Sequence, residues 1–483
     1  MKPNIVLITV DQMRGDCLGI LGHPDVKTPY LDTLASRGVL FENAYTACPS
    51  CIAARCGLMT GLAPKNHGRV GYKDGIPWRY EHTMAGELAK LGYHTENVGK
   101  LHTHPLRNSL GFHHSELHDG YLHYYRRKQT PYYEYQPFAD DYIHYMKEKL
   151  GVNADITDAA IECNSWIARP WPYEERLHPT NWVVDRCIDF LRRRDRDQPF
   201  FLHAGFVRPH PPFDAPQCFF DLYRDKALRE PFIGDWADLK TYKTAGVQYD
   251  SPEGIADPEN QRQAQIGYYA CITHVDHQIG RLLMELEMNH TEDPLLIIFT
   301  SDHGELLGDH HTFRKSRAYE GSANVPFIVW SNDPKLMPKR GQKLTDVIEL
   351  RDIMPTFLAA AGCEDMPALD GTSLLNVLQG DTTPVREYLH GEHSGGASGN
   401  QFIVTEHDKY IWFMESGKEQ YFDLDVDPHE LHDAILDPQY ADRIAYLRSL
   451  LIRELTGREE GYTDGEKLLA GKEQRAYLHT VLG

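Results

Sequence analysis

The 483-residue sequence lacks two features: an apolar stretch long enough to span a membrane, and an excess of basic residues. A spanning helix needs about 20 consecutive, mostly apolar residues, and no such run is present. The formal net charge is −20 at pH 7, which argues against a general binder of nucleic acid or of anionic membranes. An anionic substrate stays compatible with this charge, because a local basic pocket can lie within an acidic protein.

Cysteine is also sparse in this sequence. Its nine cysteines are scattered and odd in number, and no pair has the spacing of zinc ligands. We therefore expect reduced thiols rather than a disulfide framework. The chain begins with an apolar segment that is too short for the core of a signal peptide and lacks a small-residue cleavage site. We therefore expect a cytoplasmic protein, unless a signal was removed.

The order of strands and helices indicates the fold class. Residues 5–10 form a continuous apolar run rich in β-branched residues, typical of a buried strand in a parallel sheet. Further strands are predicted over residues 39–45, 93–98, 200–206 and 295–300, and helices over residues 29–37, 83–91, 182–192 and 266–286. Such alternation predicts an α/β fold with a large, mostly parallel sheet sandwiched by helices.

A change of composition near residues 379–384 predicts a domain boundary. We expect a catalytic α/β domain over residues 1–378 and a smaller C-terminal α+β domain with an antiparallel sheet over residues 379–483. Strands are predicted there over residues 401–405 and 410–414, and a helix over residues 466–482. The tyrosine-rich segment 103–178 fits either a substrate-facing insertion or a surface excursion packed by its aromatic residues. Its tyrosines include Tyr121, Tyr124, Tyr125, Tyr132 and Tyr133.

Polar residues follow four of the predicted strands. They are Asp11, Lys100, His210, Asp302 and His303. Because ligands of such sheets bind beyond the carboxyl ends of the strands, we expect these residues to share one site. Carboxylates such as Asp11 and Asp302 favour hard cations, calcium or magnesium, whereas His303 moves the preference toward manganese or zinc.

The residues from Pro49 to Arg55 predict the start of a helix, with Ser50 as its N-cap. Cys51 would then lie in the first turn, where free N–H groups favour an anion. Arg55 lies four residues on, on the same face of the helix. These groups suit an oxyanion substrate, but taken alone they fit a small buried thiol at a helix start better.

The stretch from Thr46 to Gly61 resembles the signature of the type I sulfatases, in the alkaline phosphatase superfamily. It contains Cys-x-Ala-x-Arg at residues 51–55, followed by Leu-Met-Thr-Gly at residues 58–61. In that family the signature cysteine is oxidised by a maturation enzyme to Cα-formylglycine, whose hydrate is the nucleophile. Alanine at position 53, where proline is commoner, is a known bacterial variant.

The resemblance covers most of the chain and implies an alkaline-phosphatase-like fold. The other matching motifs are Pro3-Asn4-Ile5-Val6 leading to Asp11, Gly99-Lys100-Leu101-His102, Arg208-Pro209-His210, Thr300-Ser301-Asp302-His303-Gly304, Lys315 with Tyr319-Glu320, Asp352-Ile353-Met354-Pro355-Thr356, and Tyr421-Phe422-Asp423-Leu424 with Asp427-Pro428. Each motif is weak alone, but in this order and spacing they are highly specific.

The resemblance also implies a metal site. Asp11, Gln12, Asp302 and His303 would bind one divalent ion together with residue 51. Many members have Asp in place of Gln12 and Asn in place of His303, so this sequence departs at both positions. Calcium is the expected ion, with manganese or magnesium as alternatives. The same two departures resemble the branch that hydrolyses phosphonate monoesters and phosphate diesters.

Catalytic roles follow from the resemblance in the same way. Arg55 would orient the formylglycine hydrate, and Lys100 would neutralise sulfate oxygens. His102 would remove the proton of the second hydroxyl, and His210 and Lys315 would stabilise or protonate the leaving alcohol.

The sequence also offers candidates for substrate binding. His67 and Arg69 follow the signature helix closely enough to reach the pocket, and Arg208 and His104 are further candidates. Such basic groups would fit a second anionic group on the substrate, such as a uronate or another sulfate.

Three functions remain open at this point. The first is a sulfatase acting on a sulfated sugar or on an aryl or alkyl sulfate. The second is a phosphonate monoester or phosphate diester hydrolase that uses the same formylglycine, and the third is a non-catalytic binder of sulfated glycans with an unmodified Cys51. We expect no nucleic-acid or membrane partner, and a homo-oligomer is compatible with the sequence.

Overall fold

The structure of the chain, a computed structural model, describes residues 2–120, 140–151, 164–238, 248–289 and 293–483. The tyrosines named above, from Tyr121 to Tyr133, lie outside these ranges. The strands are β1 (Asn4–Asp11), β2 (Val39–Phe41), β3 (Ala44–Tyr45), β4 (His94–Gly99), β5 (His114–Leu117), β6 (Phe200–Pro209), β7 (Leu295–Ser301), β8 (Phe327–Ser331), β9 (Gln342–Leu344), β10 (Ile348–Glu349), β11 (Leu389–His393), β12 (Asn400–Val404), β13 (Asp408–Phe413) and β14 (Glu419–Asp423).

Helices lie between and after these strands. They are α1 (Pro29–Arg37), α2 (Cys51–Thr60), α3 (Pro64–His67), α4 (Met84–Lys90), α5 (Asp141–Leu150), α6 (Pro179–Arg193), α7 (Gln217–Asp221), α8 (Pro258–Asn289), α9 (Glu320–Ala323), α10 (Ile353–Ala360), α11 (Leu375–Leu378), α12 (Ala441–Leu455) and α13 (His479–Leu482). Short 3₁₀ turns cover Gly19–Leu21, Glu175–Leu177, Asp309–His311, Leu350–Asp352, Gly396–Ser398 and Pro438–Tyr440.

An eight-stranded sheet forms the centre of the molecule, in the order β5-β4-β6-β1-β7-β8-β2-β9. Strand β1 pairs in parallel with β6 on one side and with β7 on the other. Within the described chain, only β8 runs against the other strands of this sheet. The prediction of a mostly parallel sheet is confirmed.

Both faces of this sheet are covered by helices. Val6, Ile8 and Val10 of β1 pack into the cluster that includes residues of α1, α6 and α8. Ile5 and Leu7, which point to the opposite face, pack into the cluster that includes residues of α2, α4 and α10. Because side chains alternate along a strand, a continuous apolar run such as β1 needs cover on both sides. The predicted three-layer arrangement is confirmed.

The C-terminal part of the chain forms a second, four-stranded antiparallel sheet in the order β11-β12-β13-β14. Helix α12 covers one face through a cluster that includes Trp412, Leu447 and Leu451. The other face packs through Phe402 and other apolar side chains against residues that follow the central strands. The α+β character of this region is confirmed, and the boundary at residue 379 stays a prediction.

Two local predictions are wrong. Residues 39–45 form not one strand but two, because the chain leaves the large sheet after Phe41 and β3 pairs with β10 in a separate sheet. The predicted helix over residues 466–482 is helical only at its end, in α13. The preceding tail is extended instead and bonds to the chain near Gly68, where Leu478 N–H donates to the Gly68 carbonyl at 2.8 Å. No helix within the described ranges is both long and apolar enough to cross a membrane.

A buried lysine joins the two sheets. Lys409 of β13 is 0% exposed and donates to Glu320 at 2.6 Å and to Glu430 at 2.8 Å. It also donates to the Ala318 carbonyl at 2.8 Å. A buried cation is tolerated only with such partners. The network therefore fixes the segment of residues 318–320, just beyond Lys315, against the C-terminal sheet.

We expect Lys409→Met to lower the free energy of unfolding by about 3–5 kcal/mol, since it leaves buried carboxylates without their cation. Burial raises the pKa of Glu430 to about 7 even though Lys409 opposes the shift. The loss should therefore shrink as the pH falls through this range, because a protonated Glu430 needs no cation. Denaturant unfolding at several pH values measures both effects. The control is Lys472→Met at an exposed site, and an equal effect of the two substitutions would contradict the network.

Candidate active site

The carboxyl ends of four adjacent strands bring the polar residues together. Asp11 is the last residue of β1, and Lys100 directly follows β4. His210 directly follows β6, and Asp302 directly follows β7. These strands are consecutive in the sheet, in the order β4-β6-β1-β7. The expectation that these side chains lie at one edge is met.

Helix α2 begins at Cys51 and points its N-terminus at this edge. All ten residues of the helix are buried, and Gly61 ends it in the left-handed conformation with φ 68°. Ser50 has the extended backbone of an N-cap, but its side chain makes no capping hydrogen bond. The predicted position of Cys51 is confirmed, and the predicted side-chain cap is not formed.

Four side chains of metal-ligand type converge here. The ligand atoms of Asp11, Cys51, Asp302 and His303 all lie within 4.8 Å of one another. The Cys51 sulfur lies 3.1 Å from His303 Nε2 and 3.8 Å from Asp11 Oδ1. His303 Nε2 is 3.5 Å from Asp11 Oδ1 and 3.8 Å from Asp302 Oδ1. The side chain of Gln12 lies beside them, where its Oε1 accepts a hydrogen bond from Lys315 at 2.5 Å.

The charges of this cluster fit a divalent cation. Burial and the nearby Asp11 charge raise the pKa of Asp302. Burial also opposes ionisation of Asp11, but Lys100 and His210 hold the pKa of that carboxyl well below its usual value. Two fully buried carboxylates beside an imidazole nitrogen form an oxygen and nitrogen donor set that suits calcium, magnesium or manganese.

Two fixed cations flank the cluster. Arg55 is fully buried and donates from Nε to Asp302 at 2.9 Å and from Nη1 to the Lys100 carbonyl at 3.0 Å. Its Nη2 has no hydrogen-bond partner within the part of the chain that the structure describes. Lys100 Nζ contacts Asp11 and lines the cavity. Burial opposes ionisation of the Cys51 thiol, yet Lys315 and Lys100 hold its pKa well below the usual value.

A cavity of about 930 Å³ opens above Cys51. One wall is the loop of residues 72–76, which carries Asp74 and was not singled out from the sequence. A second wall is the loop of residues 314–317, and a third is the C-terminal segment of residues 393–398. The two loops and the C-terminal segment come from distant parts of the chain, so the cavity exists only in the folded molecule.

His102 lines the cavity close to Cys51. Its ring Nε2 lies 3.7 Å from Asp74 Oδ1, and Asp74 in turn accepts a hydrogen bond from Tyr72 at 2.8 Å. Burial opposes protonation of His102, but Asp74 and Cys51 raise its pKa to about 9. Asp74 is therefore the group that sets the charge and orientation of this imidazole.

His210 and Lys315 form a pair on another side of the cavity. His210 Nδ1 donates to the Pro211 carbonyl at 2.8 Å, so Nε2 carries the lone pair and accepts from Lys315 Nζ at 3.1 Å. Burial and the Lys315 charge lower the pKa of His210. Lys315 also donates to Gln12, which leaves one of its three N–H bonds for a bound molecule.

The predicted substrate-binding residues lie in different places. Arg69 and His104 line the cavity, whereas neither His67 nor Arg208 is among its described lining residues. His67 is buried and its Nδ1 accepts the Arg69 N–H at 3.1 Å. Arg208 is held by both oxygens of Asp214 at 2.6 and 2.7 Å. The positive charge of Arg208 is thus paired with Asp214 inside the protein.

Arg69 supports the loop that carries Asp74. It donates from Nε to Tyr80 at 3.0 Å and from Nη2 to the Ile76 carbonyl at 2.9 Å.

His393 also lines the cavity and was missed in the sequence, although it stands two residues before the glycine-rich loop at Gly395. Its position just before such a loop was the sequence feature that could have indicated a role in the cavity.

Comparison with known proteins relates this geometry to a family. A family model described as Sulfatase matches residues 3–363, and one described as N-sulphoglucosamine sulphohydrolase, C-terminal, matches residues 308–456. The chain is 51% identical over 471 residues to an arylsulfatase of Clostridium perfringens, covering 98% of each protein.

Solved structures with the same fold cover nearly the whole chain. A phosphonate monoester hydrolase of Agrobacterium radiobacter is 25% identical, with a TM-score of 0.74 over 98% of this chain and 100% of its own. A protein solved in complex with its substrate D-glucosamine-2-N,6-O-disulfate is 21% identical, with a TM-score of 0.70 over 94% of this chain and 98% of its own. At that identity the second likeness establishes the fold alone.

We expect divalent cations to stabilise the protein after treatment with a chelator. At a free ion concentration about 100-fold above Kd, binding to the folded state contributes about 2.7 kcal/mol. The thermal unfolding midpoint, measured with and without calcium, manganese or magnesium, reports this gain independently of activity. Asp11→Asn should weaken the response at least about tenfold in ion concentration, because it removes a charged oxygen ligand. Glu253→Gln, which changes a carboxylate at the cavity wall, is the control, and an unaltered response in Asp11→Asn would contradict the site.

Proposed function

The chain belongs to the sulfatase family and is a sulfuric ester hydrolase, and from this premise we propose that it cleaves sulfate monoesters in the cavity above Cys51. The observation that carries the proposal is the position of Cys51. It is the first residue of α2, lies against His303 and Asp11, and forms part of the cavity wall. A nucleophile at that point faces the cations that an oxyanion requires.

We propose that Cys51 is converted to formylglycine and that one divalent ion is held by Asp11, Gln12, residue 51, Asp302 and His303. The ion is calcium, with manganese or magnesium as alternatives. The hydrated aldehyde would supply the attacking hydroxyl, whose proton would pass to one of the adjacent carboxylates, Asp11 or Asp302. The ion would withdraw charge from a sulfate oxygen. The convergence of four ligand side chains within 4.8 Å supports this assignment.

The chain's own residues have roles on the nucleophile side. Arg55 is held rigidly by Asp302 and the Lys100 carbonyl, and its unpartnered Nη2 is available to hold a hydroxyl of residue 51. Lys100 Nζ, on the cavity wall, binds a sulfate oxygen. His102, oriented by Asp74, accepts the proton of the second hydroxyl in its neutral form, and this step accompanies the release of sulfate. The Cys51 charge that helps to raise the pKa of His102 is absent once residue 51 carries the aldehyde.

Lys315 and His210 act on the leaving group. His210 Nε2 and Gln12 Oε1 accept two of the three N–H bonds of Lys315 and so aim the third at the ester oxygen. When the S–O bond breaks, its electron pair stays on that oxygen, and Lys315 supplies the proton that makes it an alcohol. His210 therefore orients the acid, and its lowered pKa suits an acceptor better than a proton donor.

A second candidate function uses the same residues. Phosphonate monoesters and phosphate diesters also present tetrahedral oxyanions, and a hydrolase of phosphonate monoesters shares this fold at 25% identity. Gln12 and His303 match that branch of the superfamily. The 51% identity to an arylsulfatase favours sulfate esters as the main substrates.

We expect mass spectrometry of the tryptic peptide of residues 38–55 from the native host to find an aldehyde at position 51, which a hydrazide reagent traps. Cys48 lies in the same peptide and should remain an alkylatable thiol, so it serves as the internal control. A thiol at position 51 would contradict the nucleophile.

The same sample decides between the two candidate functions. Turnover of 4-nitrophenyl sulfate, an aryl phosphonate monoester and a bis-aryl phosphate is compared side by side, and kcat/KM should be highest for the sulfate. A higher value for either phosphorus ester would reverse the order of the candidates. Binding of sulfated glycans without any turnover would instead favour the non-catalytic reading.

We expect Lys315→Ala to lower kcat for a simple alkyl sulfate by about 10²–10⁴-fold, the usual contribution of a general acid. The loss should be smaller for 4-nitrophenyl sulfate, because nitrophenolate leaves readily without a proton. Steady-state kinetics on both esters measures the difference. Lys73→Ala removes another lysine of the cavity wall and should affect both esters alike. Undiminished turnover of the alkyl ester by Lys315→Ala would refute the assignment.

A further inference from the structure

His393, the last residue of β11, is a buried histidine whose ring nitrogens have no hydrogen-bond partner among the described residues. It is 4% exposed, and neither Nδ1 nor Nε2 makes a hydrogen bond to the described chain. Buried polar groups are almost always paired, so an unpaired one requires an explanation. His393 lines the same cavity as Cys51, and none of the steps derived above uses it.

The surroundings of His393 fix it on the leaving-group side of the cavity. Its cross-strand partner is Asn400, whose amide donates to the Ser316 carbonyl at 2.9 Å. Ser316 N–H in turn donates to the Pro49 carbonyl at 3.0 Å, two residues before Cys51. The C-terminal sheet, the Lys315 loop and the start of α2 are thus tied together, so His393 keeps a fixed position relative to Lys315.

The loop at Gly395 packs against the ring of His393. A Cβ atom at Gly395 would lie 3.3 Å from His393 Nδ1, so only glycine lets this loop approach the ring without a displacement. The ring therefore packs against its own loop and also lines the cavity, which limits the space in which it can turn. A side chain held in this way loses little freedom when a molecule binds.

The charge state of His393 defines what it can recognise. Burial, together with the nearby charges of Arg317 and His303, lowers its pKa to about 4. A neutral imidazole offers one N–H donor and one lone pair. That pair of groups complements a hydroxyl, which both donates and accepts, better than it complements a second sulfate or a carboxylate.

Resting on the proposed sulfatase function, we propose that His393 forms a subsite that hydrogen-bonds a free hydroxyl on the alcohol part of the substrate. The substrates are accordingly sulfated polyols, above all sugar sulfates, in which a hydroxyl neighbours the sulfate ester. The cavity of about 930 Å³ has room for a sugar of this kind beside the sulfate. Sulfate is recognised at the metal-ligand cluster, and the alcohol is recognised by the C-terminal sheet.

The test uses protein whose residue 51 is shown to carry the aldehyde. Glucose 3-sulfate and galactose 4-sulfate, each with a hydroxyl on the carbon next to the ester, are compared with 4-nitrophenyl sulfate, which has no such hydroxyl. The best sugar sulfate is then compared with its analogue in which hydrogen replaces the neighbouring hydroxyl. In the wild-type protein we expect kcat/KM to fall by about tenfold or more on this replacement, since a polar site left unpaired rejects the analogue.

His393→Phe keeps the ring volume and removes both nitrogen atoms. It should abolish the preference for the hydroxyl, so that the sugar sulfate and its deoxy analogue are cleaved at similar kcat/KM. His393→Gln keeps a donor and an acceptor and should restore part of the preference. His390→Phe is the matched control: the same substitution on the same strand, at a residue bonded to Gln401 and absent from the described lining of the cavity.

Each outcome decides the matter. An undiminished preference in His393→Phe would overturn the subsite, as would an equal loss in His390→Phe. Cleavage of 4-nitrophenyl sulfate with none of the sugar sulfates turned over would also overturn it while leaving the sulfatase function intact. Absence of turnover for every sulfate ester by aldehyde-bearing, metal-loaded protein would instead refute the proposed function itself. Should His393→Phe fail to fold, the deoxy comparison in the wild type and in His393→Gln still decides.

Discussion

Two buried carboxylates at neighbouring strand ends are the constraint on which the rest of the site depends. Strands β1 and β7 pair in parallel with Val10 opposite Ser301, so the next residues, Asp11 and Asp302, must emerge side by side. Like charges at this separation in a buried place are costly unless cations accompany them. Lys100 on Asp11 and Arg55 on Asp302 provide part of that charge. The same arrangement that would destabilise an uncompensated core forms a candidate site for a divalent ion.

This constraint also explains why much of the site could be predicted from the sequence. In a parallel sheet the carboxyl ends of the strands share one edge. A polar residue that directly follows an apolar strand must therefore lie at that edge. Asp11, Lys100, His210 and Asp302 all obey that rule. Cys51 does not follow a central strand, and its chemistry alone fitted a plain buried thiol. Its role was suggested by the resemblance of its surroundings to a known signature.

The predictions that failed depended on contacts between distant parts of the chain. Residues 466–482 have a helical pattern, but most of this segment is not helical because it bonds to the chain near Gly68. Tertiary contacts thus override local propensity. The positive charge of Arg208 can be read from the sequence. Only the folded structure shows that an ion pair with Asp214 neutralises this charge. Asp74 comes from a loop and has no sequence neighbour that indicates a role in the cavity, whereas His393, from the second sheet, was marked by its position just before the glycine-rich loop at Gly395. Spacing along the chain carries no information about such contacts.

The proposed roles divide between the two sheets. The groups that we propose act on the sulfate lie at the edge of the large sheet and at the start of α2, where strand register fixes them to within narrow limits. The outer wall comes from loops and from the C-terminal sheet, which is docked through buried Lys409 and through Asn400. Changes in that wall can alter which alcohol is accepted without moving Asp11 or Asp302. Rigid docking matters for these proposals, because Lys315 lies on the same loop that the C-terminal sheet holds. The proposed acid for the leaving group is therefore positioned by the part of the molecule that we propose recognises that group.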